Sequence, residues 1–324
     1  MASFSLHIQP INTTQLPSSL SLQKFSCFFI SSTPFFSSKP IFSQSNTRKW
    51  SNHKDTCSVS SSVEECNNED GSEYKVLTAI RSSFNDIVIL ETADSRMLLL
   101  DATHNVHSIF NKGNKWTGSY WDQFVSLPPI VPKGPIAIFG LGGGTAAQLL
   151  LEVWPMLQLD GWEIDEILVY KARDYLGLAD LENQTEAGGR LNVIVGDALS
   201  SSATIPGGYA GIIVDLFSEG QVLPQLQEVE YWLGLQQRLM PNGRIMINCG
   251  GSVDESVNTW ESNSTICALH EAFPSQLSWM KLPKDKGANF LALTGPLPDL
   301  TLWADTLPEI LRLEVRRWRT CSPS

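Results

Sequence analysis

Acid is missing from the first 54 residues: no Asp or Glu precedes Asp55, while Lys24, Lys39, Arg48, Lys49, Lys54 and 13 serines are present. An acid-free, Ser-rich, mildly basic start is the composition of an organelle transit peptide. The Met1-Ala2-Ser3 opening with its Phe, Pro and Ser clusters fits the plastid kind better than the Arg-rich mitochondrial kind. Residues 1–60 are therefore expected to be a disordered chloroplast transit peptide, cut between Arg48 and Glu73, which places the mature protein in the stroma.

Long apolar runs are also missing. The longest candidate, 25–36, is broken by Ser31, Ser32 and Pro34 and falls short of the roughly 20 residues that a spanning helix needs, so no membrane partner is expected. Basic residues are scarce, 23 against 34 acidic, giving a net charge of -11. That argues against nucleic acid as a partner, because such binders neutralise phosphates with Lys and Arg. The six cysteines form no C-x-x-C pair, and His104 and His107 have no third ligand at zinc spacing. Neither a disulfide framework nor a metal site is expected, and Cys249, beside Gly250-Gly251, reads as a small buried residue. What is present, 42% hydrophobic and 18% charged residues in a 324-residue chain, is the composition of a globular protein with a sizeable core. Small-molecule chemistry is the default.

From residue 86 the pattern turns to strands. Ile87 to Leu90 and Arg96 to Asp101, with a polar turn at 92–95, read as a β-hairpin. The aromatic stretch Gly118-Ser119-Tyr120-Trp121-Asp122-Gln123-Phe124 follows, and Pro128, Pro129 and Pro132 mark a boundary. Beyond them strands are expected over 136–139, 159–164, 191–195, 211–216, 244–248, 277–281 and 289–293. Helices are expected over 145–154, 167–175, 225–239 and 256–272, with a Pro241-Asn242-Gly243 turn and a basic amphipathic helix over 311–319 that packs on the chain or pairs two subunits as a homodimer. This alternation predicts an α/β fold with a mostly parallel, doubly wound sheet, whose ligands bind beyond the carboxyl ends of the strands.

Four strand ends carry polar features. After the first stand Gly140, Gly142, Gly143 and Gly144, which let the backbone turn tightly and approach a ligand, then Thr145 where a dinucleotide fingerprint would want glycine. After the second comes Glu163, placed to accept both ribose hydroxyls of an adenosine, with Trp162 expected to stack on adenine. The third ends in Asp197-Ala198, placed for the adenine amino group, and the fourth in Asp215, placed to face a sulfonium. The series favours an S-adenosyl compound over a dinucleotide.

From about Asn85 to Gly295 the chain resembles the spermidine synthase group of polyamine aminopropyltransferases, in the S-adenosylmethionine-dependent methyltransferase superfamily. The likeness rests on Met97-Leu98-Leu99-Leu100-Asp101, Ser119-Tyr120-Trp121-Asp122, Gly142-Gly143-Gly144, Glu163-Ile164-Asp165, Gly196-Asp197-Ala198 and Val214-Asp215. It implies a methyltransferase-type Rossmann fold: an N-terminal β-hairpin region over 73–128 and an S-adenosyl-binding catalytic domain over 129–324. It also implies that Asp215 takes a proton from an attacking amine and that Tyr120 lines the amine site. The departures are specific. Thr145 replaces the family's Asp that holds the donor's aminopropyl amine, Ser218 replaces a second Asp that helps bind the diamine, and Trp121 replaces a Gln or His. Each lost carboxylate removes a counter-charge worth on the order of 3 to 5 kcal/mol to a buried ammonium. A threonine at a helix N-terminus tolerates a donor carboxylate that an Asp would repel. The expectation is therefore a transferase using S-adenosylmethionine, without a metal, for methyl transfer to a small acceptor. The alternatives are aminopropyl transfer from decarboxylated S-adenosylmethionine to an amine, and a non-catalytic binding protein of the same fold.

Overall fold

The computed structural model describes residues 65–67, 73–251 and 258–321; the expected transit peptide lies outside the described residues. Five antiparallel strands come first: β1 (Glu65–Asn67), β2 (Glu73–Arg81), β3 (Asp86–Glu91), β4 (Ser95–Leu99) and β5 (Ser108–Asn111), paired in chain order. The β3–β4 hairpin is the expected one, and its apolar face inserts Ile87, Ile89 and Leu98, all fully or almost fully buried. These side chains share one hydrophobic cluster with Leu149, Leu168, Leu176 and Ile213 of the α/β part. Among the described residues the small sheet thus has no core of its own; it closes one face of the larger unit.

After the Pro128–Ile130 turn the chain builds a second sheet from β6 (Ile136–Phe139), β7 (Gln158–Glu163), β8 (Arg190–Val195), β9 (Tyr209–Val214), β12 (Leu239–Gly251), β13 (Leu277–Lys281), β14 (Asn289–Thr294) and β15 (Arg319–Thr320). Between β9 and β12 lies a separate two-stranded hairpin, β10 (Phe217–Ser218) with β11 (Gln221–Val222). The order across the large sheet is β15-β13-β14-β12-β9-β6-β7-β8, parallel from β12 to β8 and antiparallel from β12 to β15. β6 is buried at every position because both faces are covered. Its residues alternate as the pleat requires, Ile136 and Ile138 into the cluster shared with the small sheet, Ala137 and Phe139 into a second cluster with Trp232, Leu235 and Leu269. The chain leaves β6 toward β7 and β8, then returns to β9 and β12 on the other side. The order therefore reverses between β6 and β9, and the crevice beyond their carboxyl ends is where such folds bind ligands.

Several expected elements differ. The helix expected over 225–239 is a 3-10 turn, Pro224–Gln227, followed by a helix only over Val229–Gln236. The Pro241-Asn242-Gly243 turn lies inside β12 as a register shift between Leu239 and Arg244, with Asn242 in the left-handed region. The helix expected from residue 256 spans Ser264–Ala272, where the Asn263 side chain accepts the Ile266 N–H; residues 256 and 257 lie outside the described residues. The expected C-terminal helix is broken into Glu309–Arg312, a 3-10 turn Val315–Arg317 and β15. Leu311, Val315 and Trp318 all turn into the chain's own core, so this segment packs on its own chain.

Candidate active site

The segment before the core is shaped by one buried acid. The Asp122 carboxylate accepts the Thr117 N–H (2.9 Å), the Thr117 hydroxyl (2.8 Å) and the Gly118 N–H (2.8 Å), folding 117–122 into a tight turn. Burial raises its pKa, and these hydrogen bonds oppose the rise. The turn presents Tyr120, whose hydroxyl donates to Asp215 Oδ2 at 3.1 Å. Asp215 follows β9, and its N–H donates to Phe139 O of β6 at 2.8 Å. That contact explains Gly140: its φ is +88°, and a Cβ there would lie 2.2 Å from the Asp215 carbonyl oxygen.

The two expected catalytic residues therefore meet, and a third joins them. Asn248, at the end of β12, donates its Nδ2 to Asp215 Oδ1 at 2.9 Å. Burial pushes the Asp215 pKa up to about 6, against the hydrogen bonds from Asn248, Tyr120 and Trp121 that pull it down. Burial, followed by the neighbouring Asp215 charge, raises the Tyr120 phenol well above its ordinary value, so the tyrosine stays a neutral donor. Asn248 was not among the expected residues; its position on a strand adjoining β9 was the only signal that could have found it.

The glycine loop binds protein first. Gly140 and Leu141 N–H groups donate to Trp162 O, Gly142 N–H to Glu163 Oε2 (2.9 Å), Gly143 N–H to Ser108 Oγ (2.8 Å) and Gly144 N–H to Leu141 O. With these five N–H groups occupied the loop offers no phosphate cradle. The close approaches expected toward a ligand are made instead toward the small sheet: a Cβ at Gly142 would meet Ser108 Oγ at 2.9 Å. Thr145 turns the same way. Its hydroxyl accepts the Ile109 N–H (2.8 Å) and donates to Ile109 O (3.0 Å), bridging the loop to β5. The residue is 4% exposed, and its hydroxyl is committed to β5 rather than free to greet a donor carboxylate.

Glu163 ends β7 beside this loop. Its Oε1 accepts the Asp165 N–H at 3.1 Å, and burial raises its pKa while the backbone donors of Gly142, Asp165 and Ile164 lower it. Each oxygen retains acceptor capacity for a ribose hydroxyl. Asp165 is structural: it caps the next helix at Ile167 and Leu168 and receives Asn85 Nδ2 (2.7 Å) from the small sheet. Asp197 is exposed beyond β8, with Oδ1 taking the Leu199 N–H at 2.8 Å, and Ala198 beside it is buried. Trp162, expected to stack on adenine, is a buried residue. Its ring sits in the second core cluster, edge-on to Phe139, with Nε1 toward the Tyr209 hydroxyl, because side chains of a strand alternate and this one takes the same face of the sheet as Phe139. The exposed apolar residues at these strand ends are Ile164 and Val195.

Ser218, where the family's second acid would stand, is exposed on the β10–β11 hairpin. His107 Nε2 faces Asp101 at 3.3 Å, and burial lowers its pKa. Cys249 is buried and its thiol is pushed far above its usual pKa by burial, the opposite of an activated nucleophile.

The sheet order, with the antiparallel β14 inserted between β12 and β13, defines a methyltransferase-type Rossmann fold. No family model matches the chain. A probable polyamine aminopropyl transferase of Bifidobacterium longum is 23% identical over 184 residues, 55% of this chain and 39% of that protein. Polyamine aminopropyltransferase 2 of Streptomyces coelicolor is 27% identical over 197 residues, 60% of this chain and 34% of that protein. The chain thus matches less than half the length of these curated relatives. A spermidine synthase crystallised with the transition-state analogue AdoDATO has a TM-score of 0.54 at 14% identity, covering 68% of this chain and 73% of that one. The spermidine synthase of Thermotoga maritima gives 0.53 at 13% identity, over 72% and 79%. At such identities the solved structures show a shared fold: this chain has the fold of the spermidine synthases.

Proposed function

We propose that the chain is an aminopropyltransferase-type enzyme, moving an aminopropyl group from decarboxylated S-adenosylmethionine to a small amine. The observation that carries the reading is Asp215: a carboxyl with a pKa near 6, held by Tyr120 and Asn248 where the strand order reverses. A base of that strength is ionised at neutral pH yet basic enough to relieve an amine of its proton. The acceptor nitrogen attacks the donor carbon bonded to the sulfonium. The C–S bond breaks with its electron pair passing to sulfur, methylthioadenosine leaves, and the surplus proton on nitrogen passes to Asp215. Glu163 and Asp197 hold the adenosine of the donor, with Ile164 and Val195 as the apolar surface beside its base.

The names of the two curated relatives favour this reading over the methyl transfer expected from the sequence. One observation keeps methyl transfer as the second reading: the helix Thr145–Val153 has no acid in its first turn, so that position gives a donor ammonium no counter-charge. Calorimetric titration with S-adenosylmethionine, its decarboxylated form and methylthioadenosine separates them. Tighter binding of the decarboxylated donor is expected. Preference for S-adenosylmethionine would return the site to methyl transfer, and no binding of any of the three would favour a non-catalytic protein.

A further inference from the structure

The amide chain behind Asp215 goes deeper than hydrogen bonding alone requires. Asn248 Oδ1 accepts two donors, the Gly250 N–H at 3.1 Å and Asn289 Nδ2 at 2.9 Å. Two donors on one atom identify it as the amide oxygen, so the atom facing Asp215 is Nδ2, which can donate and cannot accept. Asn289 stands on β14, the antiparallel neighbour of β12, where its register partner is Gly251. The orientation of Asn248 is thus locked from two sides by groups that do not touch the crevice chemistry. Because Nδ2 is donor-only, Asp215 Oδ1 must stay an unprotonated acceptor. The partner of Oδ2 is the Tyr120 hydroxyl at 3.1 Å, which can turn from donor to acceptor as Nδ2 cannot, so Oδ2 is the oxygen whose partner can accommodate a proton.

We propose that Asn248 is a positioning residue, locked by Asn289 and Gly250, that assigns the proton taken from the acceptor to Asp215 Oδ2 and keeps the carboxyl ionised at neutral pH. The proposal rests on the aminopropyltransferase reading for its consequence, while the lock itself is measurable without turnover. Removing the donor leaves Oδ1 with one partner fewer, which favours the neutral acid. Replacing the amide with a second carboxylate sets two acceptors face to face, so one proton must be shared between them, a stronger rise.

The test combines carbon-13 NMR titration of the Asp215 carboxyl with pH–rate profiles, in wild type, Asn248→Leu, Asn248→Asp and Asn289→Ala. Leu conserves volume, and circular dichroism and methylthioadenosine binding report whether each variant keeps its fold and donor site. The Asp215 titration should move up by a unit or more in Asn248→Leu, further in Asn248→Asp, and by less in Asn289→Ala. The acid limb of kcat should shift equally while KM for the donor holds; a one-unit rise is a tenfold change in the ionisation constant. An unmoved carboxyl titration in folded Asn248→Leu would overturn the proposal. An absence of turnover in wild type with the NMR shifts intact would instead overturn the functional reading and leave the lock standing.

Discussion

Replacing Asp215 by Asn should stabilise the protein while abolishing transfer. The carboxyl titrates near 6 in the fold against an ordinary 3.8, so between those values the folded state binds more protons than the unfolded one and stability falls as pH rises. The difference of about two units corresponds to about 3 kcal/mol at 1.36 kcal/mol per unit. This is an upper figure, since Asp215 is only partly buried and solvent screens some of it. An asparagine fits the same partners: its oxygen can accept Asn248 Nδ2 and its amide can donate to the Tyr120 oxygen. Wild type and Asp215→Asn should therefore unfold in urea with similar free energies at pH 4, diverge between pH 4 and 6, and differ by roughly 1 to 3 kcal/mol in favour of the variant above pH 7. Equal stability at pH 8, or a variant weaker there than wild type, would refute the argument that burial strains this carboxylate.

Other outcomes follow from the same geometry. Thr145→Val removes both hydrogen bonds to Ile109 and leaves that peptide buried, so urea unfolding should show a loss of about 1 to 3 kcal/mol; an unchanged midpoint would mean that the bridge carries no stability. Glu163→Ala frees the Gly142 N–H and removes the ribose acceptor, and calorimetry should record methylthioadenosine binding weaker by about 1.5 to 3 kcal/mol. Residues 1–60 fused to a fluorescent protein should carry it into plastids, on the strength of their acid-free, Ser-rich composition; a cytosolic or mitochondrial signal would contradict that.

Periodicity and punctuation made the central strands readable, because β6 and β9 are short apolar runs followed by glycine and by acid, and the ends of β7, β8 and β9 carry Glu163, Asp197 and Asp215 in order. The features missed depend on contacts between distant segments. Thr145 reads as an open helix start until β5, 36 residues earlier, is seen to occupy its hydroxyl. Trp162 reads as a ligand platform because strand alternation in a doubly covered sheet gives no polarity signal for which face a side chain takes. The C-terminal stretch has helical spacing at Leu311, Val315 and Trp318, yet packing on the core breaks it into short turns. Asn248 has no motif of its own; only the pairing of β12 with β9 brings it to Asp215.

Aminopropyl transfer is assayed by incubating the protein with decarboxylated S-adenosylmethionine and a series of small amines, putrescine first, and following methylthioadenosine release across pH 5 to 9, with S-adenosylmethionine as the paired donor. Amine-dependent methylthioadenosine release should rise through pH 6, disappear in Asp215→Asn and exceed any S-adenosylhomocysteine formed from S-adenosylmethionine. Formation of S-adenosylhomocysteine alone, or amine-dependent release that survives in Asp215→Asn, would contradict aminopropyl transfer by way of Asp215.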